Sequence, residues 1–354
     1  MHGRYVQDAA LECVPRRGDR PVVFDRARSG AQRVGLPLTY LALVAGFIYL
    51  LMGGDVLVRG SVGLARKLQV PEFVVAATVV GFGTSLPELM VSIRAATTGY
   101  PNLILGNVVG SNTANVLLVG GASALVFPML PEGGVARRNV VIMALAIVGF
   151  AILVGLDELG PRGGVILLGA FVTIMAATAR STLHARKDVD PSTPLDWVLG
   201  MPTRPVTIAV SILFGIVTLP LGAELLVDSA VEIAQSFYVS ETVIGLTVLA
   251  IGTSLPELTT AVLAARERRS DVAIGTIIGS NTFNVLAIMG VAATLSAEPI
   301  PASSRFLAFD VPVMLLSSTF MAVYAWRGWP IGRVTGGLLL LSYFLYLSAL
   351  VVVA

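Results

Sequence analysis

The chain has 354 residues, a formal net charge of +2, 55% apolar residues and only 13% charged ones. Ordinary soluble domains are about a quarter charged, so this composition excludes one and points to the bilayer, and the charge is too small to suggest a nucleic-acid partner. The single cysteine, Cys13, excludes an intrachain disulfide, and no cysteine or histidine cluster resembles a zinc site.

In chain order, a polar tail comes first, residues 1–36, with seven arginines. Hydropathy then predicts five spans within residues 37–180, near 38–59, 72–98, 103–126, 138–156 and 162–180. Runs such as 38–54 approach the roughly 20 apolar residues that a spanning helix needs. Residues 181–205 form the longest internal connection, and their charges and prolines mark a linker. Five more spans are predicted within residues 206–354, near 206–229, 241–265, 271–294, 306–326 and 332–353. The expected fold is an all-α membrane protein of about ten transmembrane helices.

The two sets of five spans are copies of each other. A shift of 169 positions lays Gly83-Thr84-Ser85-Leu86-Pro87-Glu88-Leu89 on Gly252-Thr253-Ser254-Leu255-Pro256-Glu257-Leu258. Without a gap it then lays Gly110-Ser111-Asn112-Thr113 on Gly279-Ser280-Asn281-Thr282, and Asn115-Val116-Leu117 on Asn284-Val285-Leu286. Each copy has an odd number of spans, so the second should be inverted relative to the first, the common plan of secondary transporters. Odd-numbered connections carry most of the basic residues, among them Arg66, Lys67, Arg137, Arg138, Arg268 and Arg269; the even-numbered ones carry Arg94, Arg162 and Arg305. By the positive-inside rule the linker 181–205 is cytoplasmic and both termini face outward. The arginines of the tail oppose that orientation. A natural start downstream of the tail reconciles the two, with processing of the tail or a reversed orientation as alternatives.

The paired motifs carry the chemistry. At about 100° per residue, Thr84, Ser85 and Glu88 fall on one face of a helix, as do Thr253, Ser254 and Glu257. Pro87 and Pro256 lack an N–H, which frees a carbonyl one turn earlier and predicts a kinked or broken helix. Such backbone is tolerated at membrane depth only where it lines a cavity or is buried in protein. Ser111 and Asn115 add oxygen at i, i+4, as do Ser280 and Asn284. Carboxylate, hydroxyl, amide and carbonyl are all hard ligands; they suit Ca2+, and Na+ can use a subset. An acidic side chain at mid-bilayer costs roughly 2.5–3.5 kcal/mol and marks a functional site by default. A bound cation offsets that cost and the repulsion between two such groups. The competing readings are protonated structural carboxylates for Glu88 and Glu257, and helix packing for the hydroxyls and amides.

Gly-Thr-Ser-Leu-Pro-Glu with Gly-Asn-Val-Val-Gly-Ser-Asn, present in two related copies, resembles the alpha repeats of the cation/Ca2+ exchanger superfamily, particularly its Na+/Ca2+ exchanger branch. The resemblance implies ten helices in two inverted halves, a site between spans two, three, seven and eight, and an antiporter that exchanges Ca2+ for Na+ by alternating access. It implies the ligand set Thr84, Ser85, Glu88, Ser111 and Asn115 with Thr253, Ser254, Glu257, Ser280 and Asn284, joined by backbone carbonyls near Gly81 and Ala250. Some relatives, including K+-dependent ones, have aspartate where Asn284 stands, which puts K+ dependence in doubt. Thr276 stands where the first copy has Asn107. The Gly-Asn-Ala-Val-Glu motif of the H+-coupled branch is not found.

The expected partners are therefore Ca2+ and Na+ as transported ions and the lipid bilayer, with no resident cofactor and a monomer as the functional unit. Another cation antiporter, such as an H+/Ca2+ exchanger, is the near rival, and a passive channel and an intramembrane enzyme are the rivals from other classes; no nucleophile–histidine pair and no nucleotide-binding loop supports an enzyme or a pump. Asp55 and Glu224 lie toward span ends, with Arg59 four residues from Asp55. Glu72 and Glu241 begin spans two and seven, where acids complement a helix N-terminus. Asp310 has no acidic counterpart and no assignment, and His2 and His184 lie in polar segments.

Overall fold

The computed structural model describes residues 36–99, 101–130, 133–157, 159–185, 204–236, 252–296, 299–304 and 306–353. The tail, most of the linker, Glu241 and Ala250 lie outside the described residues. The helices are α1 (Leu36–Leu68), α2 in two arms (Glu72–Thr84 and Leu86–Thr98), α3 (Pro101–Val126), α4 (Gly133–Gly155) and α5 (Pro161–Ala185). In the second repeat they are α6 (Pro205–Ser236), α7 (Leu255–Arg266), α8 (Ser270–Leu295), α9 (Phe306–Arg327) and α10 (Arg333–Val353). Among the described residues eight helices are long and apolar enough to cross a membrane, and the two arms of α2 make a ninth span. With α7 they give the ten elements expected. Apolar runs continue through the predicted ends, so α1, α5 and α6 extend past the spans read from hydropathy, and α5 continues into the start of the expected linker.

Glycine contacts show that the repeats are inverted. Gly46 and Gly215 are repeat equivalents, as are Gly53 and Gly222. A Cβ on Gly46 would lie 2.8 Å from Gly222 O, and one on Gly215 would lie 2.8 Å from Gly53 O. As residue numbers rise along α1 they fall along α6, so the equivalent helices cross antiparallel with their backbones in contact. Small residues are what allow helices to pack this closely in lipid, where apolar side chains gain nothing by leaving the tails. The same exchange recurs between α3 and α10 at Gly121–Gly336, and between α8 and α5 at Gly290–Gly164.

Burial separates a centre from a lipid-facing shell. The hydrophobic window of α8 is entirely buried and that of α3 is 78% buried, whereas those of α1, α4, α5, α6, α9 and α10 are only 22–33% buried. Exposed Leu, Val and Phe on the outer helices, such as Leu145, Val172, Leu213 and Leu316, are solvated by lipid. The two central helices are the ones that carry the second motif.

Candidate functional site

In both copies of the first motif a helix starts just after the serine, and in the first copy that start breaks the helix that leads into it. Ser85 sits at φ −86°, ψ 9° and Ser254 at φ −88°, ψ 4°, nearly identical bridge conformations just before Leu-Pro-Glu opens a new helix. Proline is at home in that first turn because no N–H is needed there. The two arms of α2 diverge by 47° at the break. Pro87 thus restarts the helix rather than kinking a continuous one, the broken form of the two that the sequence predicts. Ser85 points not to Glu88 but across the repeats, where its hydroxyl donates to Glu257 Oε1 at 2.8 Å.

Around that contact Thr84, Gly81 and Ser280 gather from the expected set. Ser280 Oγ donates to Glu257 Oε1 and to Gly81 O, each at 3.4 Å, and Thr84 Oγ1 lies 3.5 Å from it. Gly81 is required for this approach: a Cβ there would lie 2.9 Å from Ser280 N. Asn115 Nδ2 donates to Asn281 Oδ1 at 3.0 Å, tying α3 to α8. Thr84, Ser85, Glu88, Ser111, Asn115, Ser254, Glu257, Ser280 and Asn284 are all buried, and Thr253 is half-buried.

Several buried polar atoms here have no hydrogen-bond partner: Glu88 Oε2, Glu257 Oε2, Ser254 Oγ, Asn115 Oδ1, and both Nδ2 and Oδ1 of Asn284. Orphaned buried polar atoms are rare in native proteins and call for an ion or water. All but one of these atoms are oxygens, supplied by residues of both repeats. Among the described residues no three His, Cys, Asp or Glu side chains gather, so two carboxylates and neutral oxygens are what a cation would meet. That inventory fits Ca2+ or Na+ and not a softer metal.

Other residues were assigned less well from sequence. Asn107 supports the backbone of Glu88, its Nδ2 donating to Glu88 O at 3.0 Å and to Ser92 Oγ at 2.9 Å. Asn112 and Asn281 belong to the second motif but were not singled out. Asn115 and Asn284 each begin a π-helical turn, Asn115–Gly120 and Asn284–Ile288, a distortion often found at functional sites. Outside the site, Arg59 pairs with Asp55 at 2.9 Å and with Glu267 at 3.0 Å, and Arg269 pairs with Glu72 at 3.1 Å. Glu224 is exposed. Asp310 accepts a 2.8 Å hydrogen bond from the Tyr346 hydroxyl and so joins α9 to α10.

This architecture has known counterparts. Residues 38–179 and 207–352 match the family described as sodium/calcium exchanger protein. The inner membrane protein YrbG of Escherichia coli is 33% identical over 87% of this chain and 95% of its own length. The sodium/calcium exchanger MaX1 of Methanosarcina acetivorans is 30% identical over 89% of this chain and 99% of its own. A solved structure of the sodium-calcium exchanger NCX_Mj, soaked with zero Na+ and Ca2+, superposes with a TM-score of 0.76 at 30% identity, covering 89% of this chain and all of that one. The chain is therefore a multi-pass membrane protein that belongs to the sodium/calcium exchanger family, a family of cation/Ca2+ exchangers and not of enzymes.

Proposed function

We propose that this protein is a secondary active antiporter that moves Ca2+ against Na+ by alternating access. One observation carries the reading: two buried carboxylates, Glu88 and Glu257, lie among unpartnered oxygens where two inverted repeats meet. A permanently open pore has no need for two symmetry-related half-sites, whereas an alternating-access carrier can expose one set of ligands to either side. The ligands are Thr84, Ser85, Glu88, Ser111 and Asn115 with Thr253, Ser254, Glu257, Ser280 and Asn284, and the carbonyls near Gly81 and Ala250. The monomer contains the complete ligand set and is the functional unit.

Charge sets the coupling. Two ionised glutamates are neutralised by one Ca2+ or by two Na+, so any further Na+ binds on neutral oxygens and makes exchange electrogenic. A Ca2+ flux whose direction ignores membrane potential would refute that step. The basic connections place the α1–α2 turn and the linker 181–205 in the cytoplasm, and the outer ends of α1 and α10 on the other side.

The test is 45Ca2+ uptake into proteoliposomes preloaded with Na+, K+ or only H+, with Glu257→Gln as the control. Uptake that requires internal Na+ and disappears in the variant is the expected result. Uptake driven equally by a pH gradient moves the protein to H+/Ca2+ exchange, and uptake that needs no counter-ion makes it a channel.

A further inference from the structure

The pseudo-two-fold axis of the repeats passes between Asn112 and Asn281. They are repeat equivalents in direct contact, the Asn281 amide donating to the Asn112 backbone carbonyl at 3.4 Å. One N–H···O bond between two equivalent residues on such an axis must break the symmetry. A bonded arrangement therefore exists in two symmetry-related versions, of which the structure holds one.

The rest of the network follows that choice. Asn281 Oδ1 accepts from Asn115. Asn112 instead turns its Nδ2 back to Val108 O of its own helix, at 2.7 Å, and its Oδ1 has no partner. The symmetry-related donor for that oxygen is Asn284, the equivalent of Asn115, and Asn284 is fully buried with both side-chain polar atoms unpartnered. An unused acceptor and an unused donor thus stand ready for the exchanged arrangement. Leaving buried amide groups unpaired is unfavourable, so each version of the network leaves the other's groups wanting. An asparagine whose Nδ2 is engaged also presents its oxygen in a fixed direction, and Asn115 Oδ1 is indeed free while its Nδ2 is held.

We propose that Asn112 and Asn281 are positioning residues that form a two-position amide switch. In the present arrangement Asn281 holds Asn115 and aims its oxygen. In the oppositely facing arrangement Asn112 holds Asn284, and Asn115 is released. The π-helical turns that begin at Asn115 and Asn284 give each helix the slack to make the exchange. This proposal rests on the exchanger reading and deepens it, because it assigns a different oriented amide to each face of the membrane.

The test compares Asn281→Leu, Asn112→Leu and the double variant with wild type, in proteoliposomes of known orientation. The half-saturating Ca2+ concentration for Na+-driven 45Ca2+ exchange is measured at each face, and folding is checked by monodispersity on gel filtration. Half-saturation at a face rises as the fraction of protein open to that face falls. Asn281→Leu weakens the present arrangement and Asn112→Leu the other. The ratio of the two half-saturating concentrations should therefore move in opposite directions, by roughly threefold to tenfold, the worth of one hydrogen bond. The double variant should return toward the wild-type ratio, which no purely structural defect would do. Where a leucine variant does not fold, the serine substitution at the same position is read in the same way. Shifts in the same direction, unchanged ratios in folded variants, or a double variant that adds two defects would overturn the switch and leave the exchanger reading intact. A wild type that takes up no Ca2+ under any gradient overturns both.

Discussion

The two halves of the site have nearly the same sequence and backbone but different hydrogen bonding. Glu257 receives hydroxyl groups from Ser85 and Ser280. On the other half Ser254 Oγ, the equivalent of Ser85, has no partner, although Glu88 and Glu257 are alike in each leaving Oε2 unpartnered. Glu88 instead has its backbone carbonyl held by Asn107, a support that Thr276 does not reproduce, since its hydroxyl bonds back to Val272 O in its own helix. Two copies of one motif thus give one tightened carboxylate and one loose one. An inverted-repeat carrier that faces one side at a time departs from symmetry in each of its states, and a difference of this kind is such a departure.

The largest expected effect removes the comparison altogether. Glu88→Gln and Glu257→Gln should each reduce Ca2+ exchange by about 100-fold or more, because a divalent ion loses half of its counter-charge in a buried site. The cation-free proteins should differ, however. Glu257 has hydroxyl donors that offset its burial, so neutralising Glu88 should raise the melting temperature more than neutralising Glu257. Thermal unfolding in detergent under chelation measures this, and the reverse order would mean that Glu88 is the better satisfied carboxylate.

The hydroxyls give the next effect. Ser85→Ala removes the 2.8 Å bond to Glu257 and should destabilise the cation-free protein by about 1.5–3 kcal/mol, the usual worth of a hydrogen bond to a charged group. Ser254→Ala removes an oxygen that has no partner and should cost less than about 1 kcal/mol. Equal losses from the two serines would show that the asymmetry is not a property of the protein in solution.

The fold and the half-sites could be read from sequence because duplication makes a weak signal strong. A lone Pro-Glu in an apolar segment has many explanations, but two copies with a second polar motif at the same spacing identify a site and predict its symmetry. Helix ends were less legible, since apolar runs in α1 and α6 pass beyond what the bilayer requires. The pairing of Ser85 with Glu257 was not legible, because it crosses between repeats and depends on a break that helical periodicity does not reveal. Asn112 and Asn281 were passed over for a similar reason. Nothing local distinguishes an asparagine that bonds its own helix from one that lies on a symmetry axis.

The smallest effect tests whether asymmetry extends beyond the centre. Arg59 on α1 pairs with Asp55 in its own helix and with Glu267 at the end of α7; its equivalent in the second repeat is Asp228, so the same bridge cannot form there. These side chains are partly exposed, and such pairs contribute little, so Arg59→Gln should cost less than about 1 kcal/mol. Its pH dependence is more informative than its size. Burial pushes the Glu267 carboxyl above its ordinary range, Arg59 opposes that shift, and Asp55 adds to it. The folded state therefore binds this proton more tightly than the unfolded one. The resulting stability is present below about pH 4, the ordinary glutamate value, and is lost as pH rises through the raised value. Without Arg59 the shift is larger and the loss greater, so the melting-temperature gap between wild type and variant should be small at pH 4 and widen toward pH 7. A gap that stays constant with pH would mean that Arg59 does not stabilise the Glu267 carboxylate, and that α1 is not held to the α7–α8 turn by charge.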